Sequence, residues 1–336
     1  MRLALMIEPQ QGLSYQEQLT IALRAEAAGF EALFRSDHYQ SFPGRPGRAT
    51  TDAWAVLAGL GRETKRIRLG TLVSPVTFRH PGQFAKLVAT VDEMSGGRVE
   101  VGVGAGWNVD EHAQLGLAFP PVRQRVDMLE DELAMLRGLW GESDGWSYEG
   151  RTLTVSGAIF HPKPVQSPRP PIILGGYGKP RSLQLAASYA DEYNMCGLDA
   201  GACAAAFGAL SDACSAIQRS PQEVRRSAMV GALVGSNRDE FERRLDAQLA
   251  FTEVPAHEKE TWLNDRTHWI MGTRQQALDR LQAYADAGCE RIVLQDLLPR
   301  DLEMIDLLGG LAADVGGRAT ATDLSNAINI RTATRN

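Results

Sequence analysis

The 336-residue sequence lacks the features of secreted, membrane and nucleic-acid-binding proteins. Its four cysteines form no CxxC pair, which favours reduced thiols over a disulfide framework. No apolar run approaches the ~20 residues that span a bilayer, and the opening apolar segment is too short for a secretory signal. Lys and Arg are scattered through a chain of net charge −6, without a basic stripe for nucleic acid. These absences predict a cytoplasmic protein with neither membrane nor nucleic-acid partners.

Metal-binding patterns and a dinucleotide fingerprint are absent as well. The six histidines include no HxH or HExxH pattern, and His80 and His112 stand alone, so no metal site is predicted. Gly102, Gly104 and Gly106 alternate along the chain, but they miss the GxGxxG spacing of NAD-binding folds. We interpret these glycines as room for a flat ring to approach the backbone.

Short apolar runs alternate with amphipathic segments along most of the chain. Eight such runs predict strands, at residues 3–7, 32–34, 67–73, 99–103, 172–174, 193–195, 228–234 and 292–294. Because a helical pattern follows each run, the sequence predicts a single α/β fold, a (β/α)8 TIM barrel, rather than two ordinary domains. Insertions are expected after the fourth helix, as a hairpin within residues 141–169, and after the seventh strand, as an irregular segment over 252–270. The barrel domain is expected over residues 1–315, followed by a loosely ordered tail over 316–336.

Polar residues and glycines cluster where the predicted strands end. They are Glu8, Ser36 to His38, Ser74, residues 104–107, residues 175–178, Asn194 and Gln295. Since the carboxyl ends of barrel strands meet at one mouth, this clustering predicts the active site there. Asp37 and His38 are the acid–base candidates, because histidine titrates near neutral pH and an adjacent carboxylate favours its charged form. A purely structural hydrogen-bonded pair is the alternative.

The run Gly175-Gly176-Tyr177-Gly178-Lys179 lies between the fifth predicted strand and a helix. Backbone amides at the start of a helix bind phosphate, and barrels often place a phosphate site late in the strand order. The run therefore predicts a phosphate-binding loop, with a simple glycine turn as the alternative.

With these positions identified, the chain resembles the luciferase-like flavin and deazaflavin oxidoreductases, in particular their coenzyme F420-dependent branch. The resemblance covers roughly residues 1–315. It rests on Ser-Asp-His-Tyr at 36–39, Leu-Gly-Thr-Leu-Val-Ser-Pro-Val-Thr-Phe-Arg-His-Pro at 69–81, Gly-Gly-Arg at 96–98, Gly-Val-Gly-Ala-Gly-Trp-Asn at 102–108, Pro-Lys-Pro at 162–164 and Pro-Pro-Ile-Ile-Leu-Gly-Gly at 170–176. It implies a TIM-barrel enzyme that is a homodimer and acts on a small organic molecule.

The resemblance also implies roles for individual residues. The catalytic residues would be His38 and Asp37, beside the reactive face of the cofactor ring, with His38 polarising the substrate or handling a proton. Leu72-Val73 matches a bulge with a non-proline cis peptide that backs the ring, and Phe42 matches an aromatic lid position of some sugar-phosphate members. The implied cofactor-binding residues are Asp37, Leu72, Val73, Ser74, Ala105, Gly106, Trp107, Gly175, Gly176, Tyr177, Gly178 and Lys179.

One position departs from the family pattern. Some F420-dependent dehydrogenases carry a glutamate acid just after the strand-four glycines, where this chain has Trp107, which disfavours a sugar-phosphate dehydrogenase role. Asp110 and Glu111 are close in sequence but do not match that position. We predict an F420-dependent oxidoreductase that transfers a hydride between the deazaflavin and a small, apolar or unsaturated organic substrate. The alternatives are an FMN-dependent luciferase-like monooxygenase and a non-catalytic flavin- or ligand-binding barrel.

Overall fold

The computed structural model describes residues 1–42 and 44–316. In chain order the strands are β1 (Arg2–Ile7), β2 (Ala32–Arg35), β3 (Arg68–Pro75), β4 (Val99–Gly104), β5 (Trp146–Glu149), β6 (Thr154–Ala158), β7 (Ile172–Gly176), β8 (Glu192–Cys196), β9 (Arg225–Gly235), β10 (Ile270–Thr273) and β11 (Arg291–Asp296). The α-helices are α1 (Tyr15–Ala27), α2 (Ala53–Glu63), α3 (Pro81–Ser95), α4 (Val109–Leu115), α5 (Val122–Gly141), α6 (Pro180–Tyr189), α7 (Ala200–Ala216), α8 (Arg238–Phe251), α9 (Lys259–Asn264), α10 (Arg274–Asp286) and α11 (Leu302–Gly316). The predicted tail lies, from residue 317 onward, outside the described residues.

Eight parallel strands close into a barrel. Each pairs with the next in the order β1, β2, β3, β4, β7, β8, β9 and β11. Arg2 of β1 pairs with Arg291 of β11, which completes the ring. These are the eight strands that the sequence predicts, so the (β/α)8 prediction is confirmed. Among the helices that the structure describes, none combines the length and apolar character needed to span a bilayer.

Both predicted insertions are present. After α5, strands β5 and β6 pair as an antiparallel hairpin. After β9 the chain forms α8, α9 and a ninth parallel strand, β10, whose Ile270 pairs with Ala232 of β9. Helix α9 and strand β10 correct the prediction of an irregular segment. Neither has a clear apolar pattern, because α9 buries only Trp262 and the apolar run of β10 is only Ile270-Met271.

The barrel interior is apolar in its middle and charged at the amino-terminal end. The central cluster consists of Ala4, Met6, Ala32, Phe34, Leu72, Ile173 and Val293. At the amino-terminal end the buried Arg291 guanidinium lies 2.7 Å from Glu100 and 3.3 Å from Glu192. These ion pairs neutralise buried charge at the amino-terminal end, and chemistry in such barrels takes place at the opposite, carboxyl end.

Candidate active site

The predicted site residues lie at the carboxyl ends of four strands. Asp37 and His38 follow β2, Leu72 to Ser74 are in β3, residues 105–107 follow β4, and residues 175–179 end or follow β7. These strands are consecutive neighbours in the barrel. The four groups therefore form one continuous side of the barrel mouth.

Three rings form an aromatic cluster at this side of the mouth. The ring centroids of His38 and Phe42 are 4.6 Å apart, and Trp107 lies 5.6 Å from His38 and 5.3 Å from Phe42. All three contacts are edge-to-face, which is a favourable geometry for aromatic rings. Trp107 is 64% exposed, so the cluster forms an apolar rim that a bound molecule would touch.

The partner of His38 is Glu111. Nδ1 of His38 lies 2.9 Å from Oε1 and 3.2 Å from Oε2 of the Glu111 carboxylate. Oε2 also accepts the backbone N–H of Tyr39 at 3.0 Å. The sequence-based pairing of His38 with the adjacent Asp37 is therefore corrected, because neighbouring side chains at a strand end point to opposite sides.

The Asp37 carboxylate instead forms a buried ion pair with Arg79. Nη1 of Arg79 lies 2.5 Å from Oδ2 of Asp37, and the Ser74 hydroxyl donates to the same oxygen at 2.6 Å. Arg79 also contacts Asp52 at 2.6 Å. Burial lowers the pKa of Arg79, but the charge and hydrogen bonds of Asp37 outweigh burial and raise it. This network ties β2 to the segment that follows β3.

A bulge in β3 lies at the centre of the site. The Leu72–Val73 peptide bond is cis, as the resemblance implies, and the pairing register shifts between Thr71 and Ser74. A β-carbon on Gly104 would lie 2.7 Å from Cγ2 of Val73, and one on Gly175 would lie 3.1 Å from Cγ1. Gly104 and Gly175 therefore leave room for the Val73 side chain. The interpretation of the strand-four glycines as room for a flat ring stays a prediction.

The glycine loop after β7 leads into α6, as predicted, with Lys179 at the N-cap position. Gly178 has φ +71°, a conformation that favours glycine. Its N–H donates to the Tyr193 hydroxyl at 3.1 Å, which also lies 2.8 Å from the Ser182 hydroxyl. The Gly178 amide is therefore already hydrogen-bonded inside the protein. The groups left to bind a phosphate are the other amides at the start of α6 and the Lys179 side chain.

Buried amides and a carboxylate line the opposite side of the mouth. Glu8 accepts hydrogen bonds from the side-chain amides of Gln10 and Gln295, both at 2.6 Å. The Ser36 hydroxyl in turn donates to Gln10 at 2.6 Å. Next to them, the Cys196 thiol and partial burial raise the pKa of Tyr177. Glu8, Gln10, Gln295 and Ser36 therefore form a polar wall whose side chains bond to one another.

Sequence reasoning missed the importance of three residues, Arg79, Glu111 and Tyr193. Arg79 lies inside the quoted 69–81 motif, and a single arginine between aromatic and proline residues was an available signal. Glu111 lies in a seven-residue helix and Tyr193 in a short strand, where no local pattern marks them. The partners of Arg79 and Glu111 lie 42 and 73 positions away, and those of Tyr193 lie on the preceding loop and helix.

Comparison with known proteins places the chain in a family. Residues 1–291 match the family model described as luciferase-like monooxygenase. The F420-dependent glucose-6-phosphate dehydrogenase of Microbacterium testaceum is 36% identical over 178 residues, which are 53% of this chain and 51% of that protein. The enzyme of the same name from Nakamurella multipartita is 34% identical over 179 residues, 53% of this chain and 51% of that protein. The chain thus spans about half the length of the curated relatives it matches.

Solved structures share the fold at low sequence identity. An F420-dependent secondary alcohol dehydrogenase in complex with an F420–acetone adduct aligns with a TM-score of 0.75 at 21% identity, covering 92% of this chain and 97% of that one. EDTA monooxygenase from Chelativorans aligns with a TM-score of 0.78 at 19% identity, covering 94% of each chain. With the family model matched over residues 1–291, this protein belongs to the luciferase-like monooxygenase family.

Proposed function

We propose that this protein is an F420-dependent oxidoreductase that transfers a hydride between the deazaflavin and a small organic substrate. The observation that carries the proposal is His38, held by a buried carboxylate at the barrel mouth within the aromatic cluster. The F420-dependent relatives and the F420-dependent structural neighbour support the choice of cofactor.

The residues present fit such a cofactor. Gly104 of β4 and Gly175 of β7 leave room for the Val73 side chain, so the bulge offers a surface for a flat ring. At the loop after β7, Lys179 is exposed and has no ion-pair partner among the described residues, which suits a phosphate. The first-turn amides of Arg181 and Ser182 have no acceptor within the helix and add to that site. Leu72 to Ser74 and residues 105–107 would hold the ring, and residues 175–179 the phosphate.

When bound, F420 supplies the ring carbon that takes up or releases the hydride. The protein's own residues orient the substrate and move the proton. His38 handles the proton, and Phe42 and Trp107 contact the apolar part of the substrate. Asp37 acts through Arg79 to fix the end of β2. Glucose 6-phosphate is not proposed as the substrate, because Trp107 stands where some sugar-phosphate dehydrogenases carry a glutamate acid.

The cellular setting is part of the same proposal. All four cysteines are free thiols, which is consistent with a reducing, cytoplasmic location. The family resemblance supports a homodimer.

The proposal is tested by titrating the purified protein separately with F420 and FMN, followed by absorbance and fluorescence. We expect F420 to bind at least ~10-fold more tightly, a difference of ~1.4 kcal/mol. FMN binding that equals or exceeds F420 binding would instead support the FMN-dependent monooxygenase. If neither cofactor binds, the chain is a non-catalytic barrel.

A further inference from the structure

The two ring nitrogens of His38 have different surroundings. Nδ1 faces the Glu111 carboxylate. The Glu111 side chain is only 1% exposed, whereas the His38 side chain is 13% exposed. Among the residues that the structure describes, Nε2 has no hydrogen-bond partner. Nε2 is therefore the nitrogen that remains available to a bound molecule.

The Glu111 carboxylate determines which nitrogen of the His38 ring carries the hydrogen. An ionised carboxylate only accepts hydrogen bonds, so Nδ1 must carry a hydrogen to bond to it. In a neutral imidazole the other nitrogen, Nε2, then has a free lone pair. The Tyr39 N–H holds Oε2 of Glu111 at 3.0 Å, which prevents the carboxylate from turning away from the ring.

We propose that Glu111 is a positioning residue that holds His38 in its Nδ1–H form, so that Nε2 accepts the hydroxyl proton of an alcohol substrate. The substrate side of this inference rests on the proposed F420-dependent function. The substrate O–H bond breaks as the Nε2–H bond forms, and its electron pair completes the carbonyl. Oxidised F420, when bound, would supply the two-electron acceptor for the hydride of the carbinol carbon. The imidazolium that results faces the Glu111 carboxylate, which stabilises it.

The variant Glu111→Gln tests the direction of the hydrogen bond between Nδ1 and residue 111, with almost no change in the size of the side chain. A Gln amide group at the Oε2 position would face the Tyr39 N–H, donor against donor. The amide nitrogen therefore takes the Oε1 position, 2.9 Å from Nδ1, where it donates to the ring. Nδ1 must then accept, and the hydrogen moves to Nε2. Glu111→Asp keeps an acceptor-only carboxylate on a shorter side chain, so it preserves the Nδ1–H form.

The primary measurement is ¹⁵N NMR of the cofactor-free full chain, labelled in the histidine rings, at alkaline pH where imidazole is neutral. His38→Asn identifies the His38 signals by their loss. We expect the parent protein and Glu111→Asp to show a protonated Nδ1 and an unprotonated Nε2, and Glu111→Gln to show the reverse. Glu132→Gln is the matched control, because Glu132 is similarly buried and forms none of the hydrogen bonds or ion pairs of His38. It should leave the His38 signals unchanged.

The second measurement is F420-dependent turnover of alcohols. Glu111→Gln should lower kcat about 10²–10⁴-fold with little change in KM. Glu111→Asp should retain more activity than Glu111→Gln, although Gln matches the size of Glu better. A merely space-filling Glu111 would give the opposite order, which would overturn the inference. A parent His38 with its hydrogen on Nε2 would overturn it as well. If the tautomer reverses as expected but no alcohol reduces F420, the role of Glu111 stands and the proposed function fails.

Discussion

The Val73 side chain occupies the space that a β-carbon on Gly104 would need, since the two would be only 2.7 Å apart. Real side chains do not tolerate such a distance, so Gly104→Ala must displace the Val73 side chain of the β3 bulge. We expect F420 affinity to fall at least ~10-fold, or ~1.4 kcal/mol, measured by fluorescence titration. The double variant Gly104→Ala/Val73→Ala removes the clash and should recover most of the affinity. An equal loss in the double variant would contradict a role for this contact.

His38 is expected to act on the proton and not on cofactor binding. We expect His38→Asn to lower turnover ~10²–10⁴-fold while F420 binds nearly as before, because a general acid–base group contributes mainly in the transition state. His257→Asn serves as control, since the His257 side chain is 81% exposed and its one ion pair among the described residues is with Glu258. Unchanged turnover in His38→Asn would assign His38 a structural role.

Replacing Asp37, unlike replacing His38, should lower the free energy of unfolding. Asp37→Asn leaves the largely buried Arg79 with Asp52 as its remaining charged partner. Breaking a buried ion pair typically costs 3–5 kcal/mol, and the contact to Asp52 places this variant at the low end, about 3 kcal/mol. Urea unfolding measures the loss, with the exposed Asp212→Asn as a variant that should change little. A fully stable Asp37→Asn with lost turnover would instead make Asp37 a catalytic residue.

The glycine loop after β7 is coupled to Tyr193. A β-carbon on Gly176 would lie 2.4 Å from the Tyr193 hydroxyl oxygen, so Gly176→Ala should displace that ring and weaken F420 binding. Adding Tyr193→Phe removes the clashing oxygen, and we expect partial recovery in a double-mutant cycle of F420 affinities. Lys179→Ala should cost tenfold or less, because an exposed charge contributes at most ~1.4 kcal/mol here. Strictly additive effects at Gly176 and Tyr193 would argue against the coupling.

Glu132 should make stability depend on pH. Burial raises the pKa of this carboxyl from 4.5 to about 8. Between these values the folded protein keeps a proton that the unfolded chain releases, so stability falls as pH rises. Glu132→Gln does not titrate, and its stability relative to the parent should therefore increase from pH 5 to pH 8 by a few kcal/mol, on the order of 1.4 per pKa unit. Urea unfolding at several pH values measures this, with the exposed Glu149→Gln expected to show no trend.

Local patterns were enough to predict most of the architecture. The eight barrel strands are short, nearly continuous apolar runs, and such runs indicate buried strands. Each strand ends near the predicted residue. The position of the site followed as well, because parallel strands bring their carboxyl ends together. Helices α4 and α9 and strand β10 escaped prediction because they carry few buried apolar residues. Helix α4 buries only Glu111 and His112, α9 buries only Trp262, and the apolar run of β10 is only Ile270-Met271.

The sequence by itself thus determined the barrel and the set of strand-end residues from which the site is built. Only the tertiary structure decided which of these residues meet. His38 bonds to Glu111, 73 positions away, and Asp37 bonds to Arg79, 42 positions away, although His38 and Asp37 are adjacent in the chain. The reason is geometric: adjacent side chains at a strand end diverge, while residues from different strands and loops converge at the barrel mouth. Because these partners are distant in the chain, no local sequence pattern predicts which charged residues pair.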